Sequence, residues 1–393
     1  MKICFLTYSI FDIGGIQRVV SVIANKLALD NKIDIVCMTD KFPVDRSLYN
    51  LSENINVRIK DDFIVKSFFK RILYKLLRKL NLKTGIFNNE NFLHVLTEIY
   101  FPHEKRQKLI NYLEQENYDV VVGVAGEYSL LLSIIAKDIN SKTIGWQHNS
   151  YDAYLKTKEK YFWNEDQLFN KFIPKLDKYL VLSDYDKIKF LSENNVESEV
   201  IFNPVSFKSN KISNLKQKQF LAAGRLTYQK GFDLLIEAFY EFSKSNHDWT
   251  LVIVGEGEEK GRLNKLIKKY NLEKRIKIKP FTDDIKKYFL ESSILLLSSR
   301  WEGMPMIVLE SLVMGVPIIA FDITSVQSSI INNYNGILVE KYDVKEFSKA
   351  MIDLCSNEEA IICMGQNSLK KSKEFDIDFI YKQWVCILSK LTK

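Results

Sequence analysis

Residues 291–322 read ESSILLLSSRWEGMPMIVLESLVMGVPIIAFD. Ile294 to Ser299 is a short apolar run ending in small polar residues, the pattern of a buried parallel strand. Arg300 to Pro305 is a loop holding an acid, a Gly and a Pro. Residues 306–314 have helical spacing, and Gly315 is placed to end that helix. Residues 316–321 form a second buried strand. This is one βαβ unit. Its loop lies at the carboxyl end of a strand, and its helix amino terminus faces the same crevice, where open α/β sheets bind ligands.

Glu302 and Glu310 have seven residues between them. One falls in the loop and the other about one turn into the helix, so both can face the crevice. A helix amino terminus attracts anions, so two carboxylates there suit a bare phosphate poorly. They suit a polyhydroxylated ligand, because an ionised carboxylate accepts from hydroxyls. A solvated loop acid and an ordinary helix residue would give the same spacing.

The chain has 393 residues, 46% hydrophobic and 27% charged, as expected of about two globular domains. No apolar run approaches a spanning helix. The opening MKICFLTYSIFD lacks a small-residue cleavage site and runs into a Gly turn, so it reads as a first strand rather than a leader. The five Cys show no C-x-x-C spacing and do not cluster with the four His. This speaks against a metal site or disulfide framework and for a reducing, cytoplasmic location. The net charge of +7 suits a polyanionic ligand or an acidic membrane surface.

The first half opens as a strand over 2–9, the turn F-D-I-G-G-I, a helix over 17–30 and a strand over 33–39. Gly14 and Gly15 let the backbone approach a ligand, and the helix amino terminus could hold a phosphate, although a tight turn needs the same glycines. The turn G-G-I-Q-R lacks G-x-G-x-x-G spacing, so a dinucleotide fold is weakly signalled despite Asp40 after the second strand. Further strands are expected over 118–124, 143–146, 178–182 and 198–202. His148 follows the second of these, where it could donate to a hydroxyl or carbonyl or move a proton, although a loop His satisfied by backbone would sit there too. Asp184 and Asp186 form a D-x-D, but Ser183 or Asp184 reads better as a helix cap, with Asp186 in the first turn. Asn203-Pro204 marks a turn, and the Lys-, Ser- and Asn-rich stretch 204–217 reads as the linker between domains.

Residues 66–83, KSFFKRILYKLLRKLNLK, contain seven basic residues and no acid. Phe68, Phe69, Ile72, Leu73, Leu76, Leu77 and Leu80 fall on about half of a helical wheel, with Lys70, Arg71 and Arg78 opposite. Such a helix suits an anionic membrane interface, although a core-packed helix with a solvated basic back has the same pattern. The continuous apolar face disfavours nucleic acid. Residues 84–103 carry no clear pattern and are expected to be a mobile loop on the acceptor side.

The second half restarts the strand–helix rhythm at 219–223, followed by G-R-L-T-Y-Q-K-G-F-D. Gly224 lets the backbone approach the crevice. Arg225 and Lys230 offer two cations at the end of a strand, suited to the negative charge of a departing diphosphate. Gly255-Glu256-Gly257 ends the next strand, and Asp283 or Asp284 is placed to cap the helix before residue 291. The carboxyl end is helical over 343–393.

Three segments share one resemblance. E-G-M-P-x-x-x-x-E with G-x-P-I-I-A resembles the paired-Glu signature of family-4 retaining glycosyltransferases, and G-R-L-x-x-x-K-G-x-D resembles their diphosphate-binding segment. The Gly14-Gly15 pair matches a Gly pair near their donor diphosphate. The resemblance implies a GT-B fold, two Rossmann-like doubly wound α/β domains facing a central cleft. It implies domains over 1–203 and 204–375, with 376–393 crossing back to the first. It implies transfer from a nucleotide sugar, a UDP-sugar ahead of GDP-mannose or an ADP-sugar, to a lipid-linked glycan of bacterial surface polysaccharide. By it, Glu302, His148, Arg225 and Lys230 act on the reacting groups. Gly14, Gly15, Asn203, Gly224, Gly255, Gly257, Gly303, Met304, Pro305, Met306 and Glu310 line the substrate. No metal or other cofactor is expected, because protein cations would neutralise the leaving group. The enzyme is expected to be peripheral on the cytoplasmic membrane face. A GT-B sugar-nucleotide epimerase and an NAD-binding oxidoreductase are the alternatives.

Overall fold

The computed structural model describes residues 1–63, 65–323 and 330–392. It divides into two compact units, Met1–Asn203 with Ile380–Lys393, and Pro204–Phe379.

The first unit is built on seven strands. They are β1 (Lys2–Thr7), β2 (Lys32–Cys37), β3 (Asn56–Ile59), β4 (Val120–Val124), β5 (Lys142–Trp146), β6 (Lys178–Val181) and β7 (Glu199–Val200). All pair in parallel, in the order β3-β2-β1-β4-β5-β6-β7. The central strands are short and Val/Ile-rich because helices cover both faces, so β4 is buried at every position. Helix Gly15–Leu27 buries Val19, Val20, Ile23, Ala24 and Leu27, the face its spacing predicts. The edge strand β3 is half exposed and polar, which hid it from a hydrophobic-run reading.

The second unit holds β8 (Gln219–Ala223), β9 (Thr250–Val254), β10 (Ile276–Lys279), β11 (Ile294–Leu297), β12 (Ile318–Phe321) and β13 (Gly336–Val339). They are again all parallel, in the order β10-β9-β8-β11-β12-β13. Its core is aromatic. Phe220 packs 4.7 Å from Trp249 and 5.3 Å from Phe242, ring centre to ring centre. Each such buried ring contributes roughly 2–3 kcal/mol by removal from water.

Strand order reverses beside the first strand of each sheet. β1 lies between β2 and β4, and β8 lies between β9 and β11. The loops after β8 and β11 therefore leave the sheet as neighbours and open a crevice between them. That topology brings two segments 72 residues apart, at Lys230 and Glu302, to one place.

Two expectations need correction. Residues 84–103 are not a bare loop, since they include helix Leu93–Tyr100, which buries Leu96, Thr97 and Ile99. Neither Asp283 nor Asp284 caps the next helix. It spans Lys286–Leu290, and Ile285 precedes it without a side-chain cap. The carboxyl region is helical as expected, with Asp343 capping its first helix, Val344–Cys355. The last helix, Ile377–Leu391, carries the chain from the second unit into the first. There Trp384 is fully buried, 4.8 Å from the Trp146 ring and 6.2 Å from Phe5.

Candidate active site

The loop after β8 turns through Tyr228–Lys230 and enters helix Phe232–Ser243 at Gly231. Gly231 has φ +63°, and a Cβ there would lie 2.1 Å from the Ser298 carbonyl oxygen, so only glycine fits. Gly255 is equally confined, because its Cβ would lie 2.0 Å from the carbonyl oxygen of Gly224. These glycines let the loops after β8, β9 and β11 stack backbone against backbone.

At the centre, Lys230 Nζ lies 2.5 Å from Glu302 Oε1, and Ser299 Oγ donates to the same oxygen at 2.7 Å. Both members of the ion pair are largely buried, which strengthens their attraction and raises the cost of stranding either. Arg225, by contrast, is exposed, and no side-chain hydrogen bond or ion pair engages it among the described residues. Pro305 precedes helix Met306–Val313, and Gly303, Met304, Pro305 and Met306 are all buried. Glu310 lies in that helix, 2% exposed, and Ser206 Oγ donates to its Oε1 at 2.6 Å. Ser206 falls in the polar linker stretch, where a lone Ser carries no spacing signal.

Two other side chains organise this crevice and stand outside the sequence-derived set. The Arg300 guanidinium grips Asp233 with both nitrogens, at 2.9 and 2.8 Å. It also donates to the Tyr228 carbonyl at 2.7 Å and lies 3.8 Å from the Tyr228 ring centre. Burial raises the Asp233 carboxyl, but the Arg300 guanidinium outweighs it and the net shift is downward. Asp233 is the last residue of K-G-x-D and Arg300 directly precedes W-E-G, so both were within reach of the motifs.

The remaining candidates lie in the first unit, apart from Gly224, Gly255 and Gly257 in the loops just described. The Gly14 amide donates to Tyr49 Oη at 2.8 Å, so it is already engaged, and the helix amino terminus begins at Gly15. His148 follows β5 with its ring centre 4.3 Å from that of Trp146. Its Nε2 is buried with no hydrogen-bond partner among the described residues. Burial pushes the imidazole down to about 3, so it is neutral at pH 7 and suited to a hydrogen bond rather than to a charge. Asn203 is buried at the end of this unit. Ser183 caps helix Asp184–Asn194 by accepting from the Asp186 amide. Asp186 itself accepts from the Tyr151 amide at 2.7 Å and from Ser183 Oγ at 2.8 Å, so it is held at the capped end of this helix.

The basic stretch forms helix Phe68–Thr84. Its inward face is Tyr74, Leu77 and Asn81. The aromatic–aliphatic arc points away from the protein. Phe68 is 61% exposed, Phe69 83% and Leu76 59%, and Ile72, Leu73 and Leu80 are also exposed. A core-packed helix is thereby excluded for this face. No helix among the described residues is long and apolar enough to cross a membrane.

Residues 206–371 match the family model described as glycosyl transferases group 1. A Haemophilus influenzae protein named an uncharacterized glycosyltransferase is 29% identical over 98% of this chain and 99% of its own length. The Escherichia coli UDP-Gal:alpha-D-GlcNAc-diphosphoundecaprenol alpha-1,3-galactosyltransferase is 28% identical over 67% of this chain and 73% of its own. The crystal structure of HepE from Anabaena in complex with UDP superposes with a TM-score of 0.74 at 16% identity, covering 99% of this chain and 100% of that one. These relatives are named as transferases, and the epimerase alternative finds no support in them. The parallel two-sheet architecture, the paired acid and cation at the strand-end crevice and these likenesses agree: the chain is a glycosyltransferase of the GT-B fold.

Proposed function

We propose that this enzyme moves a hexosyl group from a UDP-sugar to a lipid-linked glycan during assembly of a bacterial surface polysaccharide, with retention of configuration. The observation that carries the reading is the convergence of Lys230, Glu302 and Ser299 in neighbouring loops at the topological switch point. The diphosphate of a donor draws Lys230 away from Glu302, and Arg225 adds a second cation. Both then oppose the charge that grows as the sugar–oxygen bond breaks. Glu302, relieved of its partner, accepts from hydroxyls of the sugar. Glu310, held by Ser206, accepts from the ribose. The helix amino terminus after Pro305 supplies a further dipole. Positive charge comes from the chain itself, so no metal is given a role.

The exposed arc of helix Phe68–Thr84 supports the acceptor half of the reading. At 100° per residue, Phe69, Ile72, Leu73, Leu76 and Leu80 form one stripe, with Lys83 within its span and Lys79 along one edge. Apolar insertion flanked by cations fits an anionic bilayer surface, and on this reading the enzyme works on its cytoplasmic side. The relative from Escherichia coli is named for a diphosphoundecaprenol-linked acceptor and a UDP donor.

The test is turnover. With a panel of UDP-sugars and diphosphate-linked glycans extracted from membranes, UDP release should rise at least tenfold on adding acceptor and persist in EDTA. Release that ignores acceptor, or that stops with EDTA, would overturn the proposal.

A further inference from the structure

We propose that Arg300 and Asp233 are positioning residues that fix Lys230 for the donor diphosphate. This rests on the reading of Lys230 given above.

Lys230 sits in a three-residue turn, Tyr228–Lys230, that ends in left-handed Gly231. So short a turn has too few internal hydrogen bonds to hold a side chain to one place. Its position is set from across the crevice. The Arg300 amide donates to the Gln229 carbonyl at 2.7 Å, and Gln229 Nε2 donates to the Trp301 carbonyl at 3.0 Å. Ser298 Oγ donates to the Lys230 carbonyl at 3.1 Å. The Arg300 side chain then closes the turn from below, with one nitrogen on the Tyr228 carbonyl, its plane on the Tyr228 ring and its fork on Asp233. Asp233 lies in the first turn of the helix that follows, so the fork ties that helix, the turn and the loop bearing Glu302 into one block. Arg262 also reaches Asp233, at 3.3 Å, but it is more than half exposed and serves as a lesser partner.

Stability alone does not account for this arrangement. A buried ion pair often contributes little net stability compared with apolar residues of like volume. What a planar fork supplies, and a packed Leu does not, is direction. Here direction is delivered to the turn whose last residue meets Glu302 at 2.5 Å. Among the described residues Arg300 makes no hydrogen bond to Glu302, and it acts through the backbone.

The experiment is a double-mutant cycle on UDP affinity, measured by calorimetry at fixed salt. Arg300→Lys keeps the charge and removes the fork. Asp233→Asn keeps the shape and removes the charge, and it serves if Arg300→Lys fails to fold. Each should weaken UDP binding about tenfold in the wild-type background and less than threefold in Lys230→Ala, because the residue they position is gone. Equal losses in both backgrounds would mean general damage and overturn the proposal, as would unchanged affinity in both variants. If Lys230→Ala itself binds UDP like wild type, the functional reading fails and takes the positioning role with it. If Lys230→Ala is weakened but no coupling appears, only the positioning role fails.

Discussion

Lys230→Ala is expected to lower the rate of sugar transfer about a hundredfold, equivalent to the loss of about 3 kcal/mol of transition-state stabilisation. The loss should fall mainly on kcat. A charge-assisted contact to the diphosphate grows stronger as the leaving group gathers charge, so its removal costs more in the transition state than in the bound donor. The crevice adds to the effect. Lys230 is only 17% exposed and Glu302 8%, so water replaces the ammonium poorly. Among the described residues the variant also leaves Glu302 with Ser299 as its remaining hydrogen-bond donor, an acid placed where negative charge must develop. Initial-rate kinetics with saturating acceptor measure this directly. Full turnover by Lys230→Ala would remove the residue from the mechanism.

The double variant Phe69→Glu, Leu76→Glu should lose binding to vesicles rich in anionic lipid by a factor on the order of a hundred. Both side chains lie on the outward stripe, 83% and 59% exposed, so neither is needed to pack the first unit. Each substitution removes an apolar group that would enter the interface and adds a charge that anionic lipid repels. Because the inward face rests on Tyr74, Leu77 and Asn81, the unfolding midpoint should stay near that of wild type. Cosedimentation with vesicles reads the effect. Equal binding by variant and wild type would mean that the stripe does not meet the membrane.

The strand-end loops could be read from residues 219–322 because their chemistry is local. Gly231 must be left-handed, Pro305 opens a helix, and the acids and cations sit at fixed offsets from them. The partners across the crevice could not be read so directly. Arg300 and Asp233 are 67 residues apart, and only the parallel order β8-β11 brings their loops together. Ser206 lies 104 residues from Glu310, in a segment whose composition signals only a linker. The exposed arc of helix Phe68–Thr84 was visible as a wheel, but periodicity is the same whether such a face meets a core or a bilayer. Gly14 shows the converse. Its type fits a phosphate turn, yet its amide is engaged by Tyr49, on a short turn that no motif marks.

The most direct test of the central claim, a nucleotide-sugar site built from the chain's own cations, is thermal unfolding with UDP, GDP, ADP or NAD, each with and without EDTA. UDP at a hundred times its dissociation constant should raise the midpoint by about 3 °C, and EDTA should leave that rise unchanged. A rise with NAD alone would contradict the account and restore the oxidoreductase alternative.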